Sequence, residues 1–315
     1  MFFAVLARVL LSSDLWQATL LAGSLLLLPA LGGVISERSG VVNIAMEGMM
    51  LTGAYAGVMT ALASHNVLLG VLGAMIAGGL MALIHGIVSI HFKADQIVSG
   101  IAINIAALGL TNYLLPLQTR GQEVPALANN LRLPTLTWGP LAHIPFLGPV
   151  LFQQNVLFYV AILILIGMQL LLFHTNVGLR IRAVGEHPQA ADTAGVNVRL
   201  VRYLCVITSG LLSGLAGAFL SLGIAGIFNP NMTAGRGFIA LAAMIFGKYT
   251  PLGTAGACVV FGLGVALSTR LQDSGISANL LSTLPYLLTL VALVGLVGRT
   301  TAPAADGIPY EPGSN

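Results

Sequence analysis

Glu47 is the side chain with the most chemistry to explain. It stands in the apolar run Val41–Ala63, four residues after Asn43. A carboxylate inside a membrane span costs several kcal/mol unless it is paired or near water, so it marks a functional position by default. Two roles fit it. It either hydrogen-bonds hydroxyls or amines of a solute from a cavity wall, or it caps broken-helix backbone or pairs with Arg38. Asn43, Asn104 and Asn112 also lie in apolar runs and carry the same ambiguity, helix–helix hydrogen bonds being worth about 0.6 kcal/mol each. Asn43, Glu47 and Asn104 are the candidates for a solute pathway. A second concentration of chemistry is Gly178–Tyr203, GLRIRAVGEHPQAADTAGVNVRLVRY, with Arg180, Arg182, Arg199 and Arg202, four of 13 Lys+Arg. A basic loop between two apolar runs is a cytoplasmic surface on which lipid phosphates or a protein can dock.

Other chemistries find no support. No HExxH, GxSxG or paired aspartates occur in a span, which argues against an intramembrane enzyme. Gly247-Lys248 is followed by Tyr249 and lacks the upstream glycine of a phosphate-binding loop. His85 and His91 show no metal-ligand spacing and read as structural. Cys205 and Cys258 lie in apolar segments and read as small buried hydrophobes. No metal or cofactor site is expected on this chain.

The elements that must position these residues are membrane helices. Of 315 residues, 57% are hydrophobic and 7% charged, with a mean hydropathy of +0.93; a soluble domain carries roughly 25% charged residues. A net charge of +3 is what cytoplasmic loops usually carry and is no argument for nucleic acid. A span needs about 20 apolar residues. Leu15–Ile35 (bent by Pro29), Val41–Ala63, Val67–Ile90, Gln96–Pro116, Asn155–Phe173, Leu204–Gly223, Leu252–Thr269 and Leu280–Gly298 meet that need. Gly237–Gly247 is apolar but too short to cross, and such a half-helix is tolerated only inside protein or beside an aqueous cavity. The expected fold is therefore an all-α polytopic membrane protein with about eight spans plus one short broken or re-entrant helix. Segments 40–50 and 237–247 both follow a glycine and both are interrupted or polar, as paired segments of an inverted repeat would be.

One permease domain is expected over 15–298, after a short N-terminal segment 1–14 and before a flexible tail 299–315. The basic loop 174–203 sits inside, with Arg38 and Lys93; the loop 117–154 falls outside, as does the N-terminus. Ser209, Ser213 and Gly217, beside Gly210, Gly214 and Ala218, form a small-residue ladder for close helix packing. Within the basic loop, Pro188 suits a first helical turn, Ala190, Ala191 and Ala194 follow at helical spacing, and Gly195 is placed as a C-terminal stop.

Three stretches carry a resemblance. GLRIRAVGEHPQAADTAGV at 178–196 resembles the coupling loop of importer permeases, ERSGVVNIAMEGMMLTGA at 37–54 their early hallmark, and GRGFIALAAMIFGKYTPLGT at 235–254 their late one. The class is the branched-chain amino acid, simple-sugar and nucleoside permeases of the ATP-binding cassette superfamily, and the resemblance runs from about residue 23 to 298. Asn43-Ile44-Ala45-Met46-Glu47-Gly48 is similar to the nucleoside and simple-sugar branch; branched-chain amino acid permeases carry an Asn-Phe-Ala-His-Gly version there. The resemblance implies a transport subunit of a bacterial inner membrane, not an enzyme, that moves nucleosides or related ribosyl or sugar solutes. It implies a cytoplasmic ATPase that binds ATP-Mg, a second permease subunit (a paralogue by family analogy) and an extracytoplasmic binding protein. It makes Gly178, Arg180, Arg182, Gly185, Glu186, Pro188, Ala190, Ala191, Ala194, Gly195 and Val196 the ATPase-coupling residues, with Glu186–Val196 the coupling helix. A stand-alone secondary transporter or channel is the alternative, weakened by how few carboxylates lie within spans.

Overall fold

The computed structural model describes residues 9–122, 125–271, 283 and 300–311. The chain is helical and membrane-embedded. Helix α1 is Ser13–Glu37, α2 Met46–Ser64, α3 Val67–Gly86 with a wider π-type turn to His91, and α4 Gln96–Thr119. Then come α5 (Leu147–Phe152) and α6 (Val156–His174). The basic stretch folds as α7 (Asn176–Glu186) and α8 (Pro188–Thr193). Helix α9 is Val198–Ala218, continued by a π-type stretch to Ala225; α10 is Arg236–Phe246 and α11 Pro251–Arg270.

Most helices begin where the sequence places a short polar residue. Ser12, Asn66, Asp95, Asn155, Asn197 and Thr250 each accept a backbone N–H from the first turn of α1, α3, α4, α6, α9 and α11. These residues satisfy donors that a helix start leaves free and that hydrocarbon cannot satisfy. Burial then separates centre from rim. In α1 and in the 28 residues of α9 with its extension, 78% of the apolar window is buried, against 28–33% in α3, α4, α6 and α11. Helices α1 and α9 are the core, and the four rim helices turn Leu, Ile and Val outward.

The small-residue ladder of α9 packs as expected. A methyl group at Gly210 would strike Ala82 and the Gly78 carbonyl of α3. One at Gly214 would strike the Ala74 carbonyl, and one at Gly217 the Met50 carbonyl of α2. Backbone thus lies on backbone across α9, α3 and α2, the contact that drives helix association where lipid competes for apolar side chains.

Six described helices are long and apolar enough to cross a membrane, fewer than the eight spans expected. Helix α2, with 19 residues, starts at Met46 rather than Val41, because Val41–Ala45 is unwound. The span expected over Leu280–Gly298 lies outside the described residues. The half-helix expected over Gly237–Gly247 is present as the 11-residue α10, about 16 Å long and half of a bilayer core of about 30 Å. The stretch between α4 and α6 adds a two-stranded antiparallel ribbon, β1 (Thr135–Thr137) with β2 (Gln153–Asn155).

Arg38, Lys93, the α7–α8 hairpin, Lys248 and residues 300–311 share one end of the molecule, since Arg38 reaches Lys248, Lys93 reaches Glu311 and Gly185 reaches Ala305. That end carries the basic residues that the positive-inside rule assigns to the cytoplasmic side. A Gly214→Leu substitution is expected to cost at least about 1–3 kcal/mol of overpacking, read as a lower thermal unfolding midpoint in detergent. Gly109→Leu, where no atom lies within 4 Å, is expected to leave the midpoint unchanged. Equal midpoints for the two variants would contradict the ladder.

Candidate functional site

The unwound Val41–Ala45 segment exposes backbone groups deep in the protein, and side chains from neighbouring helices satisfy them. Gln96 Oε1 accepts from Val42 N at 2.7 Å. His85 Nε2 lies 3.0 Å from the Val42 carbonyl, which can only accept, so this nitrogen carries the proton and Nδ1 accepts from Ser99 Oγ at 3.0 Å. Asn43 Nδ2 donates to Ser209 Oγ at 2.8 Å, while its Oδ1 accepts from Ala45 N. Asn104 donates to the Ile44 carbonyl at 3.0 Å and accepts from Gly48 N at 2.7 Å. Irregular backbone at membrane depth persists only when such partners exist.

Glu47 finishes the arrangement. It is 8% exposed; Oε1 accepts from Gly235 N at 2.8 Å and Oε2 from Gly237 N at 2.6 Å. These are free donors at the start of α10, and a carboxylate there also meets the positive end of the helix dipole. Gly235 adopts φ +82, and a Cβ at Gly237 would run into Glu47, so both glycines are required for the approach. At the other end of α10, Arg38 Nε donates to the Tyr249 carbonyl at 2.8 Å and Nη2 reaches the Lys248 carbonyl at 3.5 Å. The early stretch 37–47 therefore grips α10 at both ends. Both Glu47 oxygens thus cap the start of the broken helix, and Arg38 bonds at its other end. Asn43 and Asn104 are likewise committed to bracing the unwound segment, whereas Asn112 is exposed on α4.

The basic stretch divides into faces. Helix α8 begins at Pro188 and Gly195 takes φ +84 behind it, as the sequence implied. Gly178, Gly185, Pro188 and Ala191 point inward, and Arg180, Glu186, Ala190, Ala194 and Gly195 outward; Arg182 and Val196 are intermediate. Arg182 stacks over Phe173 at 5.2 Å and is spent on packing. A methyl at Gly185 would strike the Arg38 carbonyl, so α7 presses on the residue that holds α10. Helix α7 was not foreseen. Its signals were Thr175, which caps Gly178 N at 3.1 Å, and the three-residue spacing of the buried Ile181 and Val184.

The tail was expected to be flexible, yet residues 300–311 lie against this surface. Ala305 N donates to the Gly185 carbonyl at 2.9 Å and Ala304 N to Glu186 Oε2 at 3.2 Å. Burial pushes the Asp306 carboxyl up to about 6, with the hydrogen bond to Glu37 and the nearby Arg202 pulling the other way. Among the described residues no group of three or more His, Cys, Asp or Glu could hold a metal ion.

Residues 16–293 match the family described as branched-chain amino acid transport system / permease component. The chain is 42% identical to the Guanosine ABC transporter permease protein NupQ of Bacillus subtilis, over 93% of this chain and 95% of the relative. It is 37% identical to the Nucleoside ABC transporter permease protein NupC of Lactococcus lactis, over 90% and 92%. It is 34% identical to the Putative glucose ABC transporter permease protein TsgC13 of Haloferax volcanii, over 92% and 93%.

Glu47→Ala is expected to orphan the Gly235 and Gly237 amides at about 1–3 kcal/mol each, lowering the thermal unfolding midpoint in detergent. Glu47→Gln, which keeps one acceptor oxygen, should fall between. A midpoint unchanged by Glu47→Ala would mean the cap does not hold α10.

Proposed function

The chain belongs to the family of branched-chain amino acid transport system permease components, and from that premise we propose that it is the membrane-spanning permease of an ATP-binding-cassette importer for nucleosides. The observation that carries this reading is identity of 37–42% to two nucleoside permeases over nine-tenths or more of the chain. The chain is the transport subunit of a multi-pass assembly in the inner membrane. ATP-Mg binding and hydrolysis belong to a cytoplasmic ATPase, solute delivery to an extracytoplasmic binding protein, and a second permease subunit completes the pathway.

Helix α8 is the ATPase contact. Its outer face carries Gln189, Ala190, Thr193 and Ala194, small enough to let a groove approach closely, while Pro188 and Ala191 seat it on the body. Displacement of α8 reaches α9 through Val196–Val198, and reaches α1 through Gly185 on Arg38. Arg38 holds the C-terminal end of α10, so the half-helix lies at the far end of that chain of contacts. Ion-driven transport loses its best candidate because both oxygens of Glu47 are committed to backbone amides.

The test is ATP-dependent uptake of radiolabelled guanosine and uridine into vesicles holding this chain, the ATPase, the second permease and the binding protein. Ribose, glucose and leucine serve as competitors. Nucleoside uptake is expected, resisted by all three competitors. Ala190→Trp, on an exposed face, should lower it roughly tenfold or more, the loss of a central contact worth about 2 kcal/mol. Uptake without ATP, or unaffected by Ala190→Trp, would contradict the reading; suppression by glucose alone would move the solute to sugars.

A further inference from the structure

The 300–311 segment touches more of the cytoplasmic end than its length suggests. Ala304 and Ala305 bond to the end of α7. Arg202 of α9, 1% exposed, donates from Nη1 to the Ile308 carbonyl at 2.9 Å and from Nε to the Ser39 carbonyl at 3.2 Å. A buried guanidinium is costly unless such acceptors surround it, so the segment completes the start of α9. Tyr310 is buried in one cluster with Val184 of α7, Ala191 of α8 and Val198 of α9, and the Asp192 carboxylate of α8 lies near its hydroxyl. Asp306 lies against Glu37 and Arg202. The Lys93–Glu311 pair at 2.6 Å is exposed at the far end.

We propose that residues 303–311 are a strap that fixes the angle of α8 against the membrane body, with Tyr310 as the positioning residue that makes ATPase movement reach the permease instead of being lost in rotation of α8. The proposal rests on the reading of α8 as the ATPase contact. Helix α8 has six residues, too few to hold itself in place by its own backbone hydrogen bonds. Its inner residue Ala191 packs in one cluster with Tyr310, Val184 and Val198, so removing the ring takes away part of the packing that defines its angle. The two backbone anchors, Ile308 on Arg202 and Ala305 on Gly185, lie on other elements and keep the strap attached when Tyr310 is altered.

The experiment uses the reconstituted four-component vesicles and measures guanosine taken up per ATP hydrolysed. Wild type is compared with Tyr310→Ala, Tyr310→Phe and Ala190→Trp, and co-purification of the ATPase is quantified for each. Tyr310→Ala is expected to bring down the ATPase in wild-type amounts and hydrolyse ATP, but to move severalfold less guanosine per ATP. Tyr310→Phe, which keeps the ring over Ala191, should restore most of the ratio. An unchanged ratio in Tyr310→Ala, or uptake and hydrolysis falling together with the amount of assembled complex, would overturn the strap. If Ala190→Trp still binds the ATPase and couples normally, the reading of α8 fails and the strap falls with it; loss in Ala190→Trp with none in Tyr310→Ala defeats the strap alone.

Discussion

A helix long enough to cross only half a membrane leaves free carbonyls at one end and, at its buried start, free amides that water cannot serve. Helix α10 is such a helix, and the rest of the structure is arranged around satisfying it. The carboxylate of Glu47 takes two of its amides and the guanidinium of Arg38 takes carbonyls just past its last turn. Each charge also faces the dipole end of opposite sign. Because these two residues flank the unwound Val41–Ala45 segment, that segment must itself be braced, and Gln96, His85, Asn43 and Asn104 are used to do so. Six polar side chains inside an apolar protein are thereby explained by one broken helix.

The same arrangement places the half-helix in contact with the basic α7–α8 surface. Gly185 at the end of α7 abuts the Arg38 backbone, and the Arg38 side chain holds the end of α10. Helix α8, the exposed contact, is seated between α7, α9 and the 300–311 segment. Tight backbone packing along α9, α3 and α2 makes the body behind it stiff.

Much of this was legible in the sequence. Pro188, the alanines and Gly195 marked α8; the apolar shortfall of Gly237–Gly247 marked α10; the glycine and serine ladder of α9 marked the close contacts. These signals are local, set by spacing within one helix. The role of Glu47 was not legible, because its partners lie 188 and 190 residues away and nothing in the local spacing distinguishes a cap from a solute ligand. The burial of Ala191 and the stacking of Arg182 also depended on neighbours, Tyr310 and Phe173, that pattern alone does not pair with them. At residues 300–311 composition says little: Pro- and Gly-rich sequence reads as flexible, and short side chains and free backbone groups are also what a segment lying flat on helix ends needs. Val41–Ala45 read as the start of a span because its residues are mostly apolar, whereas Gly40 at φ +85 and the waiting side-chain partners keep it unwound.

The central claim is that Glu47 holds the start of α10, and amide hydrogen exchange tests it most directly. Exchange at Gly235 and Gly237 would be followed by mass spectrometry in the detergent-solubilised wild type and in Glu47→Gln, with the α9 amides as an internal reference. Both glycine amides should be protected in the wild type and should exchange much faster in the variant, while the α9 amides stay slow. Rapid exchange at both glycines in the wild type, or equal protection in the variant, would contradict the cap and with it the account of why the early and late stretches of this chain belong together.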